Sequence, residues 1–417
     1  MEYIKREIEE EIEKWLDERE VLAIRGPRQC GKTTLLNRIK EILFSRGIKE
    51  ANIIYIDFED NLTRIKFEEN PKQFISSYFH SNSNSNEKMY FLFDEVQFIK
   101  EAGKKLKLIF DSFTNQKIII TGSSSFDLTS LGKHLVGRVI FFDLFPFSFL
   151  EFLRVKGERY EKIYKELKID LKKPELRKTI FLDELNNLFH EYLAFGAYPR
   201  VVIENDMNKK KEILKNLFIT YVEKDVVSLY GNNYRDKIVI LLKSLSGALG
   251  GVIKYEEISQ NTGLKYKEIK EILSLLQDTF VISQVKPFHK NISSELRKNP
   301  KVYFVDYGLR NYLLGNFENL DFSYLYENFV YNQFNKHYKV NYWRTTTKTE
   351  VDFIIQDSKN NLIPVEVKST AKITRALRSF INAYGEQIKI ALIPNTNILE
   401  ENKIDNCKIF FIPFVYL

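Results

Sequence analysis

Residues 26–33 read Gly-Pro-Arg-Gln-Cys-Gly-Lys-Thr, directly after the apolar run Val21-Leu22-Ala23-Ile24 and directly before Thr34-Leu35-Leu36-Asn37-Arg38-Ile39. The stretch fills the pattern G-x-x-x-x-G-K-[ST], and it does so between a strand-like run and a helix-like one, the context that gives the pattern physical meaning. Glycines let such a loop turn its N–H groups inward, and the helix that follows places its positive dipole end on the same spot, so the loop is built for phosphate. The reading assigns nucleotide binding to Gly26, Pro27, Arg28, Gln29, Cys30, Gly31, Lys32, Thr33 and Thr34. Lys32 reaches the β- and γ-phosphates, and the Thr33 hydroxyl takes Mg²⁺.

Outward from the loop, the first 150 residues supply four further strand candidates, Asn52 to Phe58, Met89 to Phe93, Lys117 to Gly122 and Val139 to Leu144, separated by helical patterns. Alternation of this kind predicts a parallel α/β sheet. The third strand ends in Asp94-Glu95, which supplies a carboxylate for Mg²⁺ (Asp94) and one to orient an attacking water (Glu95). Ile118-Ile119-Ile120-Thr121-Gly122-Ser123 offers hydroxyls at the next strand end, with Thr121 or Ser123 facing the γ-phosphate or the water. Arg138, just before the fifth strand, is a candidate arginine finger, in its own subunit or from a neighbour. The tract His80-Ser81-Asn82-Ser83-Asn84-Ser85-Asn86-Glu87-Lys88 has no periodic apolar positions and reads as a surface loop.

Composition narrows the class without deciding it. At 417 residues the chain exceeds one ordinary core. The formal charge of +7, from 63 Lys and Arg against 56 Asp and Glu, is too mild to identify a nucleic-acid partner. Two cysteines at opposite ends of the sequence, Cys30 and Cys407, exclude a disulfide framework and suit a reducing cytoplasm. No apolar stretch approaches a membrane span, and the charged, amphipathic first residues do not read as a signal peptide.

Beyond residue 150 the pattern is helical to about 231, a candidate lid. Residues 232–315 follow the order helix, helix, turn, helix, β-hairpin that predicts a winged helix. Its third helix carries Lys265, Lys267 and Lys270, and Arg297-Lys298 lies near the wing, all candidates for phosphate contact. Residues 316–417 predict a mixed α/β sheet. Within it Glu350-Val351-Asp352-Phe353 and Val365-Glu366-Val367-Lys368 interrupt apolar strands with charge. Asp352 and Glu366 could converge on Mg²⁺, Lys368 could position the attacking water, and Glu327 on the preceding helix could complete the set.

These residues together resemble a prokaryotic family of AAA+-type ATPases, best known from archaea. The resemblance rests on Gly26 to Thr34, Phe93 to Glu95, Ile120 to Ser123, Leu135 to Arg138, Leu144 to Glu151, Phe195 to Pro199, Lys224-Asp225, Lys301 to Asp306 and Glu350 to Phe353. It implies a P-loop core (1–150), a helical lid (151–231), a winged helix (232–315) and a C-terminal domain (316–417) that looks like a PD-(D/E)XK nuclease. There Glu327, Asp352, Glu366 and Lys368 are similar to the E…D…E-x-K pattern of archaeal Holliday-junction resolvases. The implied function is an ATP- and Mg²⁺-dependent hydrolase acting on DNA, branched DNA included, with nucleotide state controlling binding or cleavage. The alternatives are a nucleotide-switched DNA-binding or signalling ATPase that cuts nothing, and an ATPase whose partner is another protein. A homo-oligomer would be needed for Arg138 to act between subunits.

Overall fold

The computed structural model describes residues 3–80, 87–123, 134–222, 227, 231–288, 298–345, 347–357, 359–368 and 372–417, without the side chains of His80 and Ser123. The chain divides into two compact units. Unit 1 is Met1–Phe147 with Asp278–Phe280, and unit 2 is Ser148–Gln277 with Val281–Leu417.

Unit 1 is built on strands β1 (Val21–Gly26), β2 (Ile53–Asp57), β3 (Met89–Asp94), β4 (Gln116–Ser123) and β5 (Val139–Asp143), in the order β2-β3-β4-β1-β5. All four pairings are parallel. Alternation assigns the two faces. Val21, Ala23, Phe91, Phe93, Ile118 and Ile120 enter one apolar core, while Leu22, Ile24, Tyr90, Leu92 and Ile119 enter the other. A sheet buried on both sides needs apolar residues at every position, which is why these strands read as continuous runs. Helices α1 (Glu9–Glu13), α2 (Lys32–Ser45), α3 (Asn61–Glu69), α4 (Pro71–His80) and α5 (Ala102–Ser112) complete the unit. The five expected strands are all present.

Unit 2 begins with α6 (Phe149–Lys156), α7 (Glu158–Leu167), α8 (Leu182–Phe195), α9 (Pro199–Ile203) and α10 (Met207–Tyr221). Then α11 (Arg235–Gly247), α12 (Tyr255–Thr262) and α13 (Tyr266–Asp278) precede an antiparallel ribbon of β6 (Ile282–Val285) and β7 (Lys301–Phe304). Lys224-Asp225 and Arg297 lie outside the described residues. After α14 (Tyr307–Leu314) and α15 (Phe322–Asn335) comes a six-stranded mixed sheet, β12-β13-β11-β10-β9-β8, with β8 Lys339–Arg344, β9 Glu350–Gln356, β10 Leu362–Val365, β11 Ile390–Asn395, β12 Glu400–Ile404 and β13 Cys407–Pro413, and α16 (Arg375–Tyr384) against it.

The sequence reading treats the helical segment and the mixed sheet as separate domains, whereas here they share one compact unit. An aromatic cluster joins them: Phe149 of α6 and Phe189 of α8 meet edge to face at 5.4 Å, Phe189 meets Phe329 of α15 at 4.5 Å, and Tyr326 stacks on Phe414 at 4.3 Å. Two motifs that look unrelated in sequence also close on each other. Asp306 accepts hydrogen bonds from the backbone N–H of Ala197 (2.7 Å) and Leu309 (2.8 Å), and a Cβ on Gly196, whose φ is +79°, would lie 2.4 Å from its carboxylate. Only glycine fits that approach.

Candidate functional site

The phosphate loop leaves β1 at Gly26, where a Cβ would lie 2.1 Å from the Leu144 carbonyl oxygen, so the close packing of β1 against the end of β5 requires glycine. The loop then turns through Gln29 (φ +61°) and Gly31 (φ +100°) into α2. Lys32 is buried, and its ammonium donates to the carbonyls of Gly26 and Pro27 at 2.9 Å each, while Thr33 and Thr34 are exposed at the first turn of α2. Arg6, which sequence reasoning missed, clasps the loop by donating to the Cys30 carbonyl (2.9 Å) and the Phe145 carbonyl (2.6 Å). Cys30 itself is completely buried, and burial raises its thiol pKa.

Beside the loop, β3 delivers Asp94 and Glu95 to the same C-terminal edge of the sheet. Asp94 is 2% exposed and fully engaged: Thr121 donates to one carboxylate oxygen and Tyr55 to the other at 2.9 Å. Burial and the Asp94 charge push the Tyr55 hydroxyl pKa upward, so Tyr55 stays a proton donor. Glu95 adopts a left-handed backbone (φ +55°), its N–H bonding to Thr121 Oγ1 (3.2 Å), and its carboxylate accepts from Gln97. Left-handed backbone on a non-glycine residue at a strand end is the kind of local strain that active sites hold in place. Thr121 is fully buried and bonds to Asp94 and to the Glu95 N–H. The Ser123 side chain lies outside the described part.

Arg138 is displaced from its expected place. Its carbonyl accepts from the N–H of Val21 at the start of β1, and its guanidinium pairs with Asp111 at 3.2 Å. Since β1 and β5 run parallel, Arg138 stands at the opposite sheet edge, a strand length of roughly 16 Å from Gly26. An in-subunit finger is therefore ruled out by topology.

The second constellation lies wholly in unit 2. In the antiparallel pair β9–β10 the last rung is Val365 with Phe353, and Glu366 and Asp352 each lie one residue beyond it. The N–H of Val367 donates to Asp352 at 2.8 Å. Glu366 is buried, accepting from the Thr374 hydroxyl at 2.5 Å and pairing with Lys368 at 3.4 Å. Residues 369–371, between them, are outside the described residues. Burial and the Glu327 charge push the Asp352 carboxyl pKa up to about 7, and burial also raises that of Glu366.

Glu327 does not point into an open metal site. Lys301 of β7 donates to it at 3.2 Å and to Glu350 at 2.5 Å, and the Tyr303 hydroxyl adds a bond to Glu327 at 2.6 Å. Glu350 also pairs with Arg344 at 3.5 Å. Among the described residues no three His, Cys, Asp or Glu side chains gather as a metal-holding group. Of the expected metal set, Glu327 is paired with Lys301 and Glu366 with Lys368, while Asp352 accepts from the Val367 N–H. Lys301, Tyr303 and Thr374 were not foreseen. Lys301 opens a strand that is buried at every position, and only its partners reveal its role.

Lys265, just before the third helix of the candidate winged helix, and Lys267 and Lys270 on it are exposed, as is Lys298. Glu268 accepts from the Lys265 N–H (2.7 Å) and Tyr234 (2.8 Å), bonds that favour its charged form, and Lys267 pairs with Glu271 at 3.8 Å. No helix among the described residues is long and apolar enough to cross a membrane.

Residues 18–153 match a protein-family model described as an AAA domain. Residues 186–320 and 322–414 match two models described only as domains of unknown function. An uncharacterized protein of Haemophilus influenzae is 26% identical over 400 residues, covering 94% of this chain and 93% of the relative. One from Methanocaldococcus jannaschii is 28% identical over 404 residues, covering 94% and 84%. Among solved structures, AMPPCP-bound DnaA from Aquifex aeolicus aligns with a TM-score of 0.31 and 16% identity over 64% of this chain and 86% of that one. The N-terminal region of this chain is a parallel-sheet, AAA+-like P-loop domain, and it is followed by a mixed-sheet unit whose segments match domains of unknown function.

Proposed function

We propose that the protein is an ATP hydrolase in which the nucleotide state of unit 1 controls the action of unit 2 on DNA. The observation that carries the first half is the meeting of the phosphate loop with Asp94 and Glu95 at one edge of one parallel sheet. The loop's inward N–H groups and Lys32 bind the phosphates, with Lys32 exchanging two backbone carbonyls for phosphate oxygens. Glu95, held by Gln97 and a left-handed turn, orients the attacking water. The donor set suits Mg²⁺, which Thr33 and Asp94 would hold and which would neutralise charge on the phosphates. Tyr55 and Thr121 keep the buried Asp94 carboxylate oriented.

The exposed lysines of α13 and Lys298 support DNA as the partner of unit 2, through phosphate contacts that carry no sequence information. For the C-terminal sheet, the observation that Lys301 already neutralises Glu327 and Glu350 favours the reading in which nuclease-like residues are present but cleavage does not run in this arrangement.

The test is one set of assays on purified full-length protein. ATP hydrolysis and nucleotide binding are measured for wild type, Lys32→Ala and Glu95→Gln. Branched and linear DNA are incubated with and without ATP, beside Asp352→Ala and Lys368→Ala. Nucleotide binding undiminished in Lys32→Ala overturns the placement of the phosphate site. ATP-independent DNA affinity overturns the coupling. Nicking by wild type that both C-terminal variants lose replaces the non-cleaving reading with the nuclease one.

A further inference from the structure

A phosphate loop binds anions only if its peptide N–H groups face inward. In a planar trans peptide the carbonyl of one residue and the N–H of the next point to opposite sides, so whatever holds a loop carbonyl outside aims the following N–H inside. Arg6 holds one. Its side chain is buried, and Nη1 donates at 2.9 Å to the carbonyl of Cys30, 24 positions along the chain. That carbonyl shares its peptide with the N–H of Gly31, which is thereby directed away from the guanidinium. The turn at Gly31 (φ +100°) brings the loop so close to Arg6 that a Cβ there would stand 3.5 Å from Nη1.

Arg6 is itself fixed from two sides. Its Nη2 donates to the Phe145 carbonyl at 2.6 Å, just past β5, and the guanidinium lies over the Phe147 ring, 4.9 Å from its centre. A planar fork of donors suits two carbonyls held at a set spacing, which a single ammonium does not. On the other side, the backbone N–H of Arg6 donates to Glu9. Glu9 is buried, accepts from the Tyr3 hydroxyl at 2.8 Å and pairs with Arg38 of α2 at 3.6 Å. The residue that sets the loop peptide is therefore tied both to the end of the sheet and to the helix into which the loop runs.

We propose that Arg6 is a positioning residue of the phosphate site: by holding the Cys30 carbonyl outward it keeps the Gly31 N–H turned toward the phosphate position before nucleotide arrives. It acts through the peptide and not as a phosphate ligand. The proposal rests on the reading of residues 26–34 as a nucleotide site and adds to it a residue from outside the loop. A preorganised N–H is used equally by bound substrate, transition state and product. Losing its alignment therefore weakens ATP and ADP together and leaves turnover at saturation nearly unchanged.

The experiment titrates ADP into full-length wild type, Arg6→Met and Arg6→Lys by isothermal calorimetry, which returns Kd and stoichiometry separately, and measures kcat and KM for ATP by phosphate release. In Arg6→Met the ADP Kd and the ATP KM should each rise about tenfold or more at unchanged stoichiometry, with kcat within about threefold of wild type. Arg6→Lys keeps a donor for the Cys30 carbonyl without the fork, and its Kd should fall between the two. A merely structural role for Arg6 lowers the melting temperature and the number of binding-competent molecules at unchanged Kd, and that result overturns the proposal. So does a fall in kcat with affinity unchanged. Should Arg6→Met not fold, Arg6→Gln keeps a polar group at the buried position on a shorter side chain and is held to the same expectation. Wild type that binds no ADP removes the phosphate-site reading and the proposal with it. Wild type that binds ADP without hydrolysing ATP removes only the hydrolase reading, and the ADP comparison then decides the proposal by itself.

Discussion

The two charged sites sit at comparable places, each beside the ends of apolar strands, yet they are finished in opposite ways. At the phosphate loop the chain supplies positive character from backbone N–H groups, a helix end and Lys32, whose ammonium is held only by carbonyl oxygens of its own loop. Nothing of opposite charge inside the loop must be displaced for a phosphate to enter. In unit 2 the chain supplies both signs, so Glu327, Glu350 and Glu366 each already hold a lysine. A site satisfied by neutral acceptors is poised for a charged ligand, whereas one satisfied by full counter-charges resists it, because the desolvated partner left behind costs several kcal/mol.

The sharpest way to break this comparison is at the phosphate loop. Lys32→Ala should lower ATP hydrolysis on the order of a hundredfold or more, read as phosphate release, because it removes a preorganised charge at the reacting phosphate. Glu95→Gln should slow turnover by a similar order, roughly a hundredfold, yet leave ATP affinity near wild type, since it changes only the orientation of water. Equal loss of affinity in both variants would show that Glu95 is part of the binding shell.

The second unit should respond in stability. Removing the buried lysine by Lys301→Ala leaves Glu327 without a cation and Glu350 with Arg344 alone, and should cost about 3–5 kcal/mol in denaturant unfolding, while Lys32→Ala changes stability little. Equal costs would erase the distinction between the sites.

Two smaller effects sharpen it. Cys30 lies at the centre of the phosphate loop but is fully buried with a raised thiol pKa, so a small alkylating reagent should label the folded protein far more slowly than the denatured one. Rapid labelling with loss of ATP binding would show that the loop opens. Last, Asp352 carries a folded-state pKa of about 7 against an ordinary 3.8. Between these values the folded form binds more protons than the unfolded one, so this group's contribution makes stability fall as pH rises from about 4 to about 7. Asp352→Asn should flatten that slope in unfolding measured across the window, and an unchanged slope would assign the titration elsewhere.

Much of this molecule was legible in order along the chain. The sequence by itself determined the five parallel strands, because burial on both faces forces unbroken apolar runs, and it determined the phosphate loop, because its chemistry is made by consecutive backbone groups. It also located Asp94, Glu95, Asp352, Glu366 and Lys368 at or near strand ends. What only the tertiary structure decided was which charges meet. Thr121 turned inward to Asp94, Arg138 fell at the far edge of the sheet, Arg6 came from the first turn of the chain to hold the loop, and Lys301 crossed from the ribbon to Glu327 and Glu350. Strand periodicity and loop chemistry are short-range and leave a pattern in sequence. The pairing of one buried lysine with carboxylates 26 and 49 positions away leaves none, since any lysine in an apolar strand looks the same until the fold brings its counter-charge to it.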